Sequence, residues 1–122
     1  MATINPVIEE QVAGSVTPGG MVRVTWPAMA NGDVGSPVRY HSHADRSIQV
    51  FGTFGAGGSV AVEGSLDEAN FATLNDPQGV TLAVTTAKVK SIAEMSIVTR
   101  PHVTAGDGTT ALTVVMIFRR QS

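Results

Sequence analysis

The chain has 122 residues, the length of a single domain with one hydrophobic core. Only 15% of the residues are charged, and eight basic residues stand against ten acidic ones, so we expect no nucleic-acid partner. The chain contains no cysteine, which excludes disulfide bonds and thiolate metal sites and leaves packing as the source of stability.

Residues 1–20 are predicted to form an extended arm, separate from a domain over residues 21–122. Prolines and glycines, Pro6 and Pro18 among them, interrupt every regular pattern in the arm. The segment lacks the features of a secretory signal, and no apolar run in the chain suits a membrane helix, so we expect neither export nor a membrane partner. The interface with a partner is assigned to Ile4, Pro6, Val7, Ile8 and Val12 of the arm and to Trp26, which can also be a core residue.

From Met21 onward, short alternating runs rich in Val, Ile and Thr are bounded by Gly, Pro, Asn or Asp, a pattern typical of strands and turns. Because no long helix separates these runs, we predict an all-β fold, an antiparallel β-sandwich or jelly roll. At most one short helix is expected, at residues 85–95, where apolar side chains can line one side. The predicted strands cover residues 21–26, 47–54, 59–64, 71–74, 80–85, 96–103 and 110–118.

Two glycine-rich turns punctuate this pattern. Residues 52–59 lack the Lys and Ser/Thr of a phosphate loop and lead into a strand, so a hairpin turn is predicted there. The Asp107–Gly108 pair predicts a second hairpin, which joins the last two strands. The last strand is apolar almost without interruption. We therefore expect it to be central and covered on both faces, or covered on its outer face by a partner subunit.

Alternating polar residues at His41, His43 and Asp45 would share one side of an extended segment, as metal ligands on a strand do. Two imidazoles and a carboxylate can bind zinc or iron, which suggests a metal-dependent enzyme of jelly-roll type as one hypothesis. However, the segment has the character of a loop, and no second cluster supplies distant ligands except the lone His102. We therefore expect no metal and no other cofactor, with Asp45 capping its turn and pairing with Arg46.

Acidic residues at Asp67, Glu68 and Asp76 could supply the two carboxylates that glycoside hydrolysis requires. Surface loops commonly contain as many acids, and only Phe71 lies nearby as a platform for a sugar ring. The chain also has neither a Gly-x-Ser-x-Gly motif nor a cysteine nucleophile. We therefore expect a protein that is not an enzyme.

One stretch, residues 60–82, reads VAVEGSLDEANFATLNDPQGVTL. It resembles a recurrent phrase of small β-sandwich proteins, in which a strand is followed by a Gly-Ser-x-Asp turn and an aromatic residue on the next strand. Discoidin-like modules have a similar Gly-Ser-Asn-Asp-Gly turn. The resemblance implies a structural hairpin, in which Asp67 bonds the turn backbone and Phe71 starts the next strand. Leu66 and Glu68 depart from the phrase, because Asn and Gly are usual there.

A longer resemblance covers residues 45–120. Its motifs are Asp45-Arg46-Ser47, Gly64-Ser65, Asp76-Pro77-Gln78-Gly79, Arg100-Pro101 and Gly106-Asp107-Gly108. Together they are similar to a family of short virion proteins of tailed bacteriophages that are akin to capsid decoration, or cement, proteins. The resemblance implies a structural protein on the capsid surface, assembled in the host cytoplasm, that bridges neighbouring coat subunits. Its implied partners are the major capsid protein and copies of itself, as a dimer or trimer.

The shorter phrase leaves a second function open. Its likeness to discoidin-like modules implies a carbohydrate-binding module of a phage fibre or of a host-attachment structure. The two functions predict different anatomies, because a capsid clamp needs broad apolar contact area and a glycan module needs a concave polar site at the loop ends.

Overall fold

The computed structural model describes residues 2–10 and 20–120, and in this part of the chain all regular structure is β-strand. The all-β class predicted from the alternating apolar pattern is confirmed. The strands are β1 (Thr3–Ile4), β2 (Val7–Glu9), β3 (Met21–Met29), β4 (Val34–Gly35), β5 (Asp45–Thr53), β6 (Ser59–Ser65), β7 (Ala72–Thr73), β8 (Ala83–Val84), β9 (Lys88–Ser91), β10 (Val98–Ala105) and β11 (Ala111–Arg119).

These strands form two sheets. The six-stranded sheet has the order β1-β4-β10-β6-β7, with β8 also paired to β6, and the five-stranded sheet has the order β2-β3-β11-β5-β9. All pairs are antiparallel except β1 with β4, which is parallel. Buried aliphatic side chains from both sheets belong to one core cluster. The arrangement is consistent with a β-sandwich.

Strand β11 is central in the five-stranded sheet, between β3 and β5. Because successive residues of a strand point to opposite faces, its apolar side chains divide into two sets. The set that faces the core is buried and consists of Leu112, Val114, Met116 and Phe118. The other set includes Val115 and Ile117, which remain partly exposed on the outer face. The strand is central, as the first alternative states, but its outer face is covered only in part, and cover by a partner subunit stays a prediction.

Both turns predicted as hairpins connect different sheets instead. The turn after β5 leads from the five-stranded sheet to β6 in the six-stranded sheet, and the turn after β10 leads back to β11. Gly55 and Gly57 of the first turn have φ of 72° and 71°, values that favour glycine. The glycines therefore predict where the chain turns. Which strands pair depends instead on which face of each strand is buried.

No helix forms at residues 85–95, the one position where the sequence allowed a short helix. Strand β9 occupies part of this segment and pairs antiparallel with β5, with Lys90 opposite Ile48 and Lys88 opposite Val50. The apolar spacing in so short a run fits either structure, and pairing with β5 gives its backbone hydrogen-bond partners that an isolated helical turn lacks. Lysines on an edge strand also discourage pairing with a further strand.

The arm expectation needs correction for its described residues, 2–10. Strand β1 pairs with β4, and β2 pairs with β3, so this segment forms an edge strand of each sheet. Ile4 packs against the core, and the backbone N–H of Ala2 donates to Asp33 Oδ1 at 3.0 Å. Val12 and its neighbours, residues 11–19, lie outside the described residues.

Candidate protein interface

The side chains of β2 point in two directions, and each reaches a different surface. Val7 and Ile8 are 65% and 45% exposed, which is high for aliphatic side chains in a strand. Ile8 and Pro6 lie beside the loop after β4 and form one wall of a groove of about 370 Å³. We call this the arm groove; it is lined by Pro6, Ile8, Ser36, Pro37, Val38, Arg39 and Tyr40.

Trp26 supports this groove from the core. Its side chain is fully buried, and the indole N–H donates to the Ser36 carbonyl at 3.0 Å. The bond holds the loop after β4 against β3, so the tryptophan positions one wall of the groove from inside the protein. Of the two roles predicted for Trp26, the structure therefore supports the core and not direct contact with a partner.

A second candidate surface is the outer face of the five-stranded sheet. In register, Val115 lies between Thr25 and Gln49, and the same row continues to Val7 on β2 and Val89 on β9. The apolar members of this face, which we call the five-stranded outer face, are Val7, Met21, Phe51, Val89, Val115 and Ile117. Neutral polar side chains and two ion pairs lie between them, so the face offers broad contact area in which the charges balance.

Charged side chains on the five-stranded outer face are paired with one another. Arg23 Nη2 donates to both carboxylate oxygens of Glu9, at 2.8 and 2.9 Å. Asp45 pairs with Arg119 and not with Arg46, the partner predicted for it from the sequence. Near this second pair lies a depression of about 300 Å³ that Ile117 also lines. The charges on the face therefore balance within it.

The six-stranded sheet has a different outer face. Glu63 on β6 accepts a bond from Arg100 Nε at 2.9 Å and lies 3.0 Å from His102 Nδ1. The Arg100 guanidinium lies over the Phe71 ring, 3.8 Å from its centroid. Sequence reasoning missed this cluster. The alternation of Arg100 and His102 indicates a shared face, but only the β10–β6 register brings Glu63 opposite Arg100.

The residues of the metal hypothesis do not converge. His43 is buried against Tyr40, with ring centroids 5.4 Å apart, and its Nδ1 lies 3.2 Å from Ser42 Oγ. His41 is exposed, and Asp45 is paired with Arg119. Within residues 2–10 and 20–120, no group of three or more His, Cys, Asp or Glu side chains could hold a metal ion.

Arg46, the residue next to Asp45, is buried. Its Nε donates to the His43 carbonyl at 2.9 Å, and its Nη1 and Nη2 donate to Ser96 Oγ and Ser96 O, both at 3.2 Å. Burial lowers the pKa of this guanidinium below its ordinary value. The network links β5 of one sheet to the segment before β10 of the other, so Arg46 has a structural position rather than an exposed one.

Asp67 stabilises the turn between β6 and β7, within the motif of residues 60–82. Its Oδ1 accepts bonds from the backbone N–H of Asn70 at 2.8 Å and of Ala69 at 3.0 Å, and from the Ser65 hydroxyl at 2.8 Å. These bonds, that of Asn70 above all, hold the pKa of Asp67 well below its usual range. Strands β6 and β7 pair across the turn, which confirms the predicted hairpin. Glu68 has φ of 66°, which explains why glycine is usual at its position.

Asp76 belongs to a separate turn. Its carboxylate accepts bonds from the backbone N–H of Val80 at 3.0 Å and of Gln78 at 2.9 Å, and it pairs with Lys90 at 3.0 Å. The bond from Val80, followed by Lys90, lowers the pKa of Asp76. Asp67 and Asp76 are therefore each engaged by their own turn and do not form a carboxylate pair facing a common substrate.

Comparison with known proteins adds no relative. No protein-family model matches the chain, and a search of curated proteins gives no match either. In the described part of the chain, no helix is long and apolar enough to cross a membrane. The two outer faces and the arm groove are therefore the features of the described residues that bear on function.

Proposed function

We propose that the chain is a structural virion protein of a bacteriophage, which decorates the capsid and stabilises it by bridging neighbouring coat subunits. The arm groove carries the proposal, because it exposes apolar side chains of an edge strand beside a loop that the Trp26 indole bonds. The resemblance over residues 45–120 supplies the virion context. A jelly-roll connection of the strands belongs to the same proposal, as does a place on the capsid surface.

The arm groove suits an extended segment of a coat subunit. Its apolar wall, Pro6 and Ile8, faces a rim with the polar groups of Ser36, Arg39 and Tyr40. Full burial of an aliphatic side chain contributes about 1.5 kcal/mol or more, and Ile8 is only half-buried in the free chain. One such contact is weak, but repetition over a symmetric lattice raises the overall affinity through avidity.

Bridging requires a second contact away from the groove. The five-stranded outer face provides one, since Val7 of the same edge strand points toward it while Ile8 lines the groove. The proposed partners are accordingly the major capsid protein and other copies of the chain. A non-enzymatic role agrees with the acidic residues, because Asp67 and Asp76 hold their own turns.

A carbohydrate-binding module is the second candidate, and one observation favours it. Phe71, Arg100, Glu63 and His102 combine an aromatic ring with polar groups, the chemistry that sugars require. However, Arg100 covers one face of the Phe71 ring, and Glu63 is already bonded to both bases. The capsid role is therefore the preferred proposal.

The test is co-sedimentation of the purified chain with heads of its own phage from which the chain has been removed. We expect wild-type protein to sediment with the heads and Ile8→Asp to lose about tenfold or more in affinity, since about 1.4 kcal/mol corresponds to that factor. Val80→Asp is the matched control, because Val80 is 56% exposed in a turn of the six-stranded sheet.

Melting temperatures of both variants establish that folding is intact. The capsid proposal fails if wild-type protein does not bind heads, or if Ile8→Asp and Val80→Asp bind equally well. A glycan array with wild-type protein and Phe71→Ala tests the second candidate. Glycan binding that Phe71→Ala abolishes, together with no binding to heads, would favour the carbohydrate-binding module.

A further inference from the structure

We propose that the five-stranded outer face is a self-association surface on which a second copy of this chain packs face to face. The inference deepens the proposed function, in which this face is the second contact, by naming the molecule that occupies it, and the isolated chain tests it without capsids. It assigns a specific surface, opposite the core side of the sheet and distinct from the arm groove.

The apolar side chains of this face are arranged for a symmetric contact. Val115 lies near the middle of the central strand, with Ile117 two residues along and Phe51 opposite Thr113 in the adjoining row. In a two-fold contact, a residue near the axis meets its own copy, which suits an aliphatic side chain and excludes a charged one. Two sheets that pack in this way interdigitate their side chains about 10 Å apart.

The charges of the face indicate which partner it accepts. Glu9 with Arg23 and Asp45 with Arg119 make two neutral pairs, and every other described residue on the face is uncharged. An anionic or cationic partner would require charges of one sign, which this face lacks. A copy of the same face is electrically compatible, because neither copy brings an unpaired charge into the contact.

The size of the face is also adequate. Three strands of nine residues and two shorter ones cover roughly 500 Å² in projection, from standard strand rise and spacing. Side-chain relief raises the accessible area toward the about 800 Å² that each partner contributes to a stable interface. The depression beside Ile117 and Arg119 provides room for a side chain of the second copy.

Pairing through the edge at β9 is less favourable than contact through the face. Lys88 and Lys90 occupy this edge strand, and lysines at such positions oppose the addition of another strand. The outer face has no comparable barrier. The charged side chains of the outer face are paired within it, so contact through the face requires no unpaired charge to be buried.

The experiment is sedimentation equilibrium of the purified full chain over a concentration series without heads. We expect wild-type protein to show a mass of twice the chain mass at micromolar concentration. Val115→Lys should shift the population to monomer and weaken self-association about tenfold or more. Leu66→Lys is the matched control, because Leu66 is 73% exposed in the β6–β7 turn and should keep the dimer.

Val89→Lys keeps the inference testable should Val115→Lys fail to fold, because Val89 is 63% exposed and its replacement disturbs little packing. A wild-type monomer at all concentrations overturns the inference, as does a dimer that both face variants retain. A third outcome is that wild-type protein is a monomer and that Val89→Lys abolishes its binding to heads. This outcome would assign the face to a coat subunit. That result overturns self-association but leaves the capsid proposal intact. Failure of self-association is therefore distinguishable from failure of capsid binding.

Discussion

The two outer faces of this protein differ although the inner faces are built alike. On the six-stranded sheet, Glu63 binds Arg100 and His102, and Phe71 from the next segment packs on the guanidinium. This face satisfies its own polar groups and shields them. On the five-stranded sheet, Val115 remains partly exposed between Thr25 and Gln49, and Ile117 remains partly exposed between Arg23 and Ser47.

Topology explains the difference. Strand β6 pairs with β10 on one side and with both β7 and β8 on the other, because the chain folds back after the Asp67 turn. This returning segment delivers Phe71 to the outer face. The five-stranded sheet has only the short strands β2 and β9 at its edges, and neither is followed by a described segment that returns over the outer face. A face that the described part of the chain leaves open is the better candidate for a partner.

The largest expected contrast comes from removing one carboxylate on each face. Glu63→Ala leaves two half-buried bases without their acceptor, which should lower the free energy of unfolding by about 1–3 kcal/mol. Glu9→Ala breaks an exposed pair with Arg23 and should cost about 0–1 kcal/mol. Urea unfolding midpoints at equal m-value measure both changes. Equal losses for the two variants would contradict the distinction between a shielded and an open face.

Low pH is expected to destabilise the turn that connects β10 of one sheet to β11 of the other. The Asp107 carboxylate, in the turn after β10, accepts bonds from Thr109 Oγ1 at 2.6 Å and from the Ala56 N–H at 2.8 Å. These bonds lower the pKa of Asp107 to about 2. Because the folded pKa lies below the unfolded value of about 3.9, the stability from this group is present above pH 4 and is lost as the pH falls toward 2.

Asp107→Asn should therefore have a lower melting temperature than wild-type protein at pH 7, and the two curves should converge as the pH approaches 2. Melting temperatures recorded from pH 7 to pH 2 test this expectation. A difference that stays constant over the whole range would show that the ionised carboxylate is not the source of the stability. The matched control is Thr104→Ala, which changes an exposed hydroxyl on β10 but no carboxylate.

The alternating pattern predicted the fold class and most of the long strands, because burial of one strand face is a local property of the sequence. It could not predict which sheet a strand joins. The turns at Gly55 and Asp107 look like hairpin turns, yet each leads to the other sheet. The apolar spacing around Val89 also suits a short helix, because the edge-strand pairing of this segment with β5 depends on residues distant in the chain.

The candidate interface was predictable only in part. Val7 and Ile8 of the predicted arm interface are exposed, and their contact with a partner stays a prediction. Trp26 could not be assigned from sequence, because a single tryptophan suits a core as well as a contact. The Glu63 cluster and the five-stranded outer face both depend on cross-strand register, which unites residues distant in the chain.

The smallest expected effects concern backbone strain at two described residues, one in the five-stranded sheet and one in a turn of the six-stranded sheet. Ala28 on β3 has φ of 53° next to the bulge opposite β11, and Glu68 in the β6–β7 turn has φ of 66°. Both values lie in the left-handed region, which costs a side-chain residue about 1 kcal/mol relative to glycine.

Glycine also increases the entropy of the unfolded chain, so only part of this strain is recovered. Ala28→Gly should raise the free energy of unfolding by about 0.5 kcal/mol, because Ala28 is exposed and its methyl group adds little packing. Glu68→Gly should gain less, since it also removes the exposed ion pair with Arg39. Thermal unfolding of both variants, with Glu68→Ala as the control that loses the ion pair and keeps the strain, resolves the two contributions. A destabilised Ala28→Gly would show that the bulge on the five-stranded sheet tolerates alanine without strain.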